Sequence, residues 1–371
     1  MNLFEMVRIK KIIILFFSIF GGLWIILQTA TAFGLFEEVA LKNTGIKGYL
    51  VLLAITLIFC FLSVTAFERK KTKIIVAQFG QLLPYLPLYI AKKKRFFEKV
   101  GLEVSFVNSG GDDLVWKKIT NNEAQFGVGD PTILFTGKDS CKGKLIATLV
   151  PKVAIWGVTN KKIPKIKTIE EFEGYNVAVF REPSTSYKFI KYIDSINAKK
   201  PSHKPLNVVE IDPNKVYNYI KNDSVDITMV VEPIATNAEM EGYNIVFSGF
   251  NFSPKILFSG VFASENYLKE NPKIVHSFIK ALNQSLDFIQ KDHLSTLKMA
   301  VQEFPEINPI DVELATLRLL RDGIFPLDTL VNEESWQNSF KMRFEDKDSN
   351  EYSFEEFVDN SFTINATKNN E

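Results

Sequence analysis

Cysteine is nearly absent from this chain. Cys60 sits inside an apolar run and Cys141 in a polar stretch, so neither a disulfide framework nor a CxxC pair is available. Cysteine usage therefore assigns no redox compartment. Histidine is equally sparse: His203, His276 and His293 are scattered, without the paired spacing of a metal site. Net charge is missing too, with 44 basic side chains against 43 acidic ones. No global field draws the chain to nucleic acid. There is no G-x-S-x-G, no Walker loop and no nucleophile–base pair, so the sequence points to no catalytic residue, no metal and no cofactor. Internal repeats and low-complexity tracts are absent as well.

Apolar bulk, by contrast, is plentiful. Phenylalanine alone supplies 32 of the 371 residues, and this length has room for two lobes plus extras. From Ile12 to Ile26 the chain is almost wholly apolar, and low polarity runs on to Phe36; a second apolar run spans Gly48 to Phe67. Each has about the 20 residues needed to cross a hydrocarbon core of roughly 30 Å. Residues 1–73 are accordingly expected to form a membrane anchor, with transmembrane helices near 12–34 and 48–67 and then a basic linker. Ala30-Thr31-Ala32 resembles a signal-peptide cleavage site, but the long apolar stretch favours a retained span in the lipid bilayer. Arg8, Lys10 and Lys11 precede the first run, Arg69, Lys70, Lys71 and Lys73 follow the second, and only Lys42 and Lys47 lie between. That distribution places both flanks, and the domain after them, on the cytoplasmic side.

After the linker, Lys73–Phe79 reads as a buried strand and Leu88 to Phe97 as a helix with one apolar face. Strand 102–107, a turn at Ser109-Gly110-Gly111, a helix through Leu114, Trp116 and Ile119, and strand 124–130 follow. Such alternation predicts an α/β lobe with a doubly wound sheet. It continues with strands at 145–150, 154–159, 175–180, 206–211, 227–231 and 243–247, and helices at 169–173, 185–196, 215–221 and 234–241. From Glu265 the chain turns strongly helical, including 272–291 and 309–322. Residues 346–371 are polar and acidic and are expected to be partly disordered.

Several segments together carry a resemblance. The run L-P-L-Y-I-A-K-K-K-R-F-F-E-K-V-G-L-E-V-S-F-V at 86–107, Gly110-Gly111, Phe126-Gly127-Val128-Gly129-Asp130, Val231-Glu232-Pro233, F-A-S-E-N-Y-L-K-E-N-P at 262–272, and G-I-F-P-L-D followed by Glu334-Ser335-Trp336-Gln337 occur in order. They resemble the SsuA/THI5-like (NMT1) family of substrate-binding proteins over roughly 74–345. The resemblance implies a periplasmic-binding-protein type II-like fold, with lobe 1 at about 74–160 and 250–345 and lobe 2 at about 161–249. It also implies a small-molecule ligand between the lobes, ABC permease and ATPase subunits as partners, and an extracytoplasmic domain. The chain departs from the pattern in its membrane hairpin. It also lacks the histidine and cysteine cluster expected of pyrimidine-synthesising members.

In open α/β sheets ligands lie beyond the carboxyl ends of strands, where helix N-termini offer unpaired N–H groups. Candidate ligand contacts are therefore Gln78, Tyr85, Gly110, Gly111, Asp130, Thr132, Arg181, Ser184, Thr185, Ser186, Tyr187 and Glu232. The Arg181–Ser186 loop could hold an anion with hydroxyls, backbone N–H groups and the Arg181 charge, or Ser184 and Thr185 could simply cap a helix. Asp130 could accept from an amine or a ring N–H, or could bond its own turn. Tyr85, Trp116, Trp156 and Tyr187 could stack on a planar ligand or fill the core, and Glu232 could face the cleft or cap a helix. The expected function is capture of a small polar molecule or anion for an importer. A membrane-bound cytoplasmic sensor is the alternative, and an enzyme of pyrimidine-precursor metabolism a weaker one.

Overall fold

In the computed structural model, residues 71–135, 142–212, 215–221, 225–252, 255–344 and 353–368 are described. The two apolar runs read as membrane spans lie outside the described residues. Among those that are described, no helix is long and apolar enough to cross a membrane.

The strands are β1 (Thr72–Gln78), β2 (Leu102–Asn108), β3 (Phe126–Gly129), β4 (Gly143–Val150), β5 (Trp156–Thr159), β6 (Asn176–Phe180), β7 (Asn207–Ile211), β8 (Ile227–Val230), β9 (Asn244–Ser248) and β10 (Ser259–Ser264). They form two five-stranded sheets, ordered β2-β1-β3-β10-β4 and β7-β6-β8-β5-β9. The two sheets share a plan. In each, three strands run parallel, and the fourth in spatial order is antiparallel to both neighbours: β10 in the first, β5 in the second. That antiparallel strand is the one arriving from the other lobe.

Helices cover the sheets because their apolar residues recur every three or four positions. The long Pro272–Lys291 helix buries Val275, Phe278, Ile279, Leu282, Leu286 and Ile289. Phe278 stacks on Phe126 of β3 at 4.3 Å and on Phe97 at 5.0 Å between centroids; each such fully buried ring contributes about 3 kcal/mol. In the second lobe the Thr185–Asn197 helix buries Phe189, Ile190 and Ile193. Lys188 is buried on the same helix, against the pattern.

Two expectations need correction. The first lobe hands over at 151–155 rather than at residue 160, because β5 pairs with β8 and β9 of the second sheet. The return includes 249–252 and 255–258, whose ends lie beside the outgoing segment: the Gly249 N–H donates to the Ile155 carbonyl at 2.8 Å and the Phe258 N–H to the Val150 carbonyl at 3.0 Å. The helix expected at 169–173 is only a single turn, Ile169–Glu171, which ends before the left-handed Gly174.

The polar tail, expected to be partly disordered, is described over 353–368. Phe354–Phe357 and Ser361–Lys368 are short helices, and Val358 forms a parallel bridge with Leu145 of β4. The Phe357 ring meets Phe135 edge-on at 4.9 Å and stacks on Trp336 at 5.9 Å. The amide of Asn360 both donates to and accepts from Val331. A few well-placed rings outweigh the acidic composition, and Glu355 and Glu356 sit in a first helical turn where negative charge is favoured.

Candidate functional site

Between the lobes lies a small pocket, partly open to solvent. The first lobe contributes Phe79, Leu82, Tyr85, Asp112, Asp130, Phe258 and Ser259 to its wall. The second contributes Phe180, Ser184, Thr185, Ser186 and Val231, and Ile155 belongs to the outgoing crossing segment. Every strand-end loop named here follows from sheet polarity: β1, β3, β6 and β8 all deliver their carboxyl ends to this place.

Asp130 is the most heavily bonded group. One carboxylate oxygen accepts from the Thr132 N–H at 2.9 Å and from its hydroxyl at 2.7 Å. The other accepts from the Thr185 hydroxyl at 2.8 Å and the Lys188 ammonium at 2.6 Å. Lys188 also donates to Thr132 at 2.7 Å, and Arg343 reaches the same hydroxyl at 3.2 Å. Burial works to raise the Asp130 carboxyl, but the Lys188 and Arg343 charges outweigh it and hold it below the ordinary carboxylate range. The group is an ionised tie between lobes.

Asp112 opens the Asp112–Thr120 helix and is only 3% exposed. One of its oxygens accepts from the Asp130 N–H at 3.0 Å. Burial first, and the Asp130 charge second, push its carboxyl up to about 7. Gly129 makes this approach possible, since a Cβ there would strike the Asp112 carboxylate. Across the cavity Tyr85 and Ser259 share a hydroxyl hydrogen bond of 3.1 Å. Burial raises the Tyr85 phenol beyond its ordinary range, so it stays neutral.

Other candidates do different work. Gln78 is buried between Asn108, to which it donates at 2.7 Å, and the Tyr89 hydroxyl, from which it accepts at 3.2 Å; it does not line the cavity. Gly110 has φ +79°, a turn conformation that suits glycine, and its N–H donates to the Phe79 carbonyl. Gly111 leaves room for Arg181, whose guanidinium a Cβ would strike.

Arg181 itself is half-exposed and pairs with Asp113 of the other lobe at 3.1 Å. It is a rim contact, not a cavity cation. Ser184 caps the Thr185–Asn197 helix by accepting from the Tyr187 N–H at 3.3 Å, and donates to the Phe180 carbonyl at 2.7 Å. Ser186 accepts from the Phe180 N–H at 3.1 Å. Tyr187 packs at the core's edge under Lys191.

Glu232 is fully buried, accepts from the Thr236 N–H and hydroxyl at 3.0 and 2.8 Å, and pairs with Arg318 at 3.2 Å. It caps the Ile234–Met240 helix and ties it to Pro309–Arg321, away from the cavity. Trp116 and Trp156 are core residues and line nothing. The structure thus brings Tyr85, Asp130, Ser184, Thr185 and Ser186 together at the cavity, with Thr132 just behind. It leaves Gln78, Gly110, Gly111, Arg181, Tyr187 and Glu232 in supporting places. Lys188, Arg343, Ser259 and the three phenylalanines were not foreseen. Only the odd placement of a lysine beside Phe189 and Ile190 could have flagged the first of them.

Comparison with known proteins fits this geometry. The family model described as NMT1/THI5 like matches residues 84–293. YtlA of Bacillus subtilis is 23% identical over 276 residues, covering 73% of this chain and 82% of its own. The ligand binding component of an ABC-type import system from Staphylococcus aureus superposes with TM-score 0.63 at 13% identity, covering 80% of this chain and 99% of that one. The periplasmic nitrate-binding protein NrtA from Synechocystis gives 0.63 at 13% identity, over 81% and 89%. The alkanesulfonate-binding protein SsuA from Xanthomonas axonopodis, bound to MOPS, gives 0.57 at 15% identity, over 76% and 96%. These structural likenesses establish a shared two-lobed fold.

Proposed function

The chain belongs to the NMT1/THI5-like family, and from that premise we propose that it is a solute-binding protein serving an ABC-type importer. It takes a small polar molecule between its lobes and, on closing, presents it to the permease. One observation carries this reading. The cavity wall is divided between the lobes and sealed by side chains that reach across, Lys188 and Thr185 to Asp130 and Arg181 to Asp113, so contents are enclosed only when the lobes meet. The structural relatives named for import and for periplasmic binding support it.

The test is a thermal-shift screen of the full chain against sulfonates, nitrate, bicarbonate, aminopyrimidines and polyamines. A ligand at a hundred times its Kd adds about 2.7 kcal/mol, a shift of about 5–10 °C for a domain of this size. The shift should vanish in Ser259→Trp, which fills the cavity. A ligand that shifts both proteins equally, or a screen with no shift at all, refutes the reading.

A second reading is favoured by the basic residues flanking the two apolar runs of 1–73. In it the chain is a membrane-anchored sensor whose lobes close on ligand at the cytoplasmic face. A C-terminal alkaline phosphatase fusion separates the two. Strong activity places the lobes outside the cytoplasm and removes the sensor; none, with a fluorescent cytosolic fusion, removes the importer.

A further inference from the structure

Charge inside the cavity is one-sided. Its wall holds two carboxylates, Asp112 and Asp130, and no basic side chain. Asp130 spends both oxygens on protein donors. Asp112 does not. One oxygen takes the Asp130 N–H, and among the described residues the other receives no hydrogen bond. That oxygen is open to the cavity, where a donor on a ligand can reach it. The nearby cations donate elsewhere, Lys188 to Asp130 and Thr132 and Arg343 to Thr132, and neither lines the cavity, although both charges act on Asp112. The remaining polar wall consists of hydroxyls, from Tyr85, Ser184, Thr185, Ser186 and Ser259, and the rest is apolar, with Phe79, Phe180 and Phe258.

We propose that the cavity selects a small protonated base, an amine or amidine on a compact apolar body, whose N–H groups are received by the free oxygen of Asp112, and that it rejects anions. The proposal rests on the capture reading and supplies its ligand class. An amidine matches the site because its N–H groups serve the carboxylate and its body meets the phenylalanines. An anion beside Asp112 requires that carboxyl to be protonated first, which for a group near 7 costs about tenfold at pH 8. Arg181 cannot offset this, since it lies on the rim against Asp113.

Binding of a cation requires Asp112 to be ionised. The charged and titratable groups facing it are Asp130 from the turn after β3, Lys188 from Thr185–Asn197, Arg343 from Glu333–Arg343, and Tyr85 from the turn before Leu86. Burial and the Asp130 charge place the Asp112 carboxyl at about 7. Affinity for a cation therefore rises about tenfold per pH unit below that value and levels off above it.

Calorimetric titration of the full chain with benzamidine, benzamide and benzoate tests this with one shape and three charges. At pH 8 benzamidine should bind at least tenfold tighter than benzamide, and benzoate should be the weakest of the three. Lowering the pH to 6 should weaken benzamidine about tenfold and leave benzamide unchanged. Asp112→Asn should remove both the preference and the pH dependence, and its melting curve reports whether it is folded. The wild-type comparisons stand without it. Benzamide or benzoate matching benzamidine, a flat pH profile, or unchanged benzamidine affinity in folded Asp112→Asn overturns the ligand class and leaves capture intact. No heat from any of the three overturns the ligand class as well, and the separate thermal-shift screen decides whether capture falls with it.

Discussion

Replacing Lys188 by methionine should destabilise the protein far more than an ordinary lysine substitution. The side chains of Lys188 and Asp130 are 6% and 2% exposed, and their charged atoms lie 2.6 Å apart. Methionine fills the same space but leaves the carboxylate without its cation, a change that costs about 3–5 kcal/mol when a buried pair loses one member. Asp130 keeps two hydroxyls and one N–H as donors, which argues for the lower end, about 3 kcal/mol. For a domain of this size that is a fall of about 6–12 °C in Tm.

The loss should depend on pH. In the native protein the Asp130 carboxyl is held low, so its contribution is complete above the unfolded value near 4 and disappears as pH falls through the folded one. Without Lys188 the same carboxyl is pushed up, and its cost is relieved as pH falls. The gap between the two proteins should be widest at neutral pH and should narrow towards pH 4. Urea unfolding followed by tryptophan fluorescence measures this directly. The Lys188→Met/Asp130→Asn double variant should recover most of the loss. A deficit under about 1 kcal/mol, or a double variant no better than Lys188→Met, would refute the view of this pair as a tie between lobes.

Two further variants probe the frame around the cavity. Phe357→Ala removes a ring wedged between Phe135 and Trp336 and should cost about 3–4 kcal/mol in thermal or urea unfolding; a change within about 0.5 kcal/mol would show that the tail rests on the fold without belonging to it. Ser184→Ala loses a helix cap and should cost about 1 kcal/mol. Its hydroxyl is spent on the cap and on the Phe180 carbonyl, so cleft affinity should hardly move, and a tenfold loss by calorimetry would mean that the hydroxyl turns to ligand.

What could be read in advance follows the range of the physics involved. Period-two and period-3.6 patterns are local, so strands such as 145–150 and helices such as Pro272–Lys291 were legible from spacing alone. The short strand Ser259–Ser264 was not, because six buried residues carry no alternation to distinguish a strand. The loops at the cavity were legible because sheet polarity fixes which ends collect ligand. The direction of each side chain was not. Arg181 leaves the cavity because Asp113 attracts it from the other lobe, 68 residues away, and Arg343 reaches Thr132 across 211 residues. Asp130 was expected at the cleft and lines the pocket, yet its partner Lys188 looked like one more basic residue on an amphipathic helix.

The placement of β10 also orders events during synthesis. The second sheet is built entirely from residues 156–248, a continuous stretch. The first sheet needs Ser259–Ser264 as its fourth strand, wedged antiparallel between β3 and β4. On a ribosome, where domains fold as they emerge, β3 and β4 leave the exit tunnel with a gap between them that only later residues fill. The second lobe therefore has every strand it needs while the first still exposes two unpaired edges. The N-terminal lobe is the one that is finished last, and it is the one a chaperone has most reason to hold.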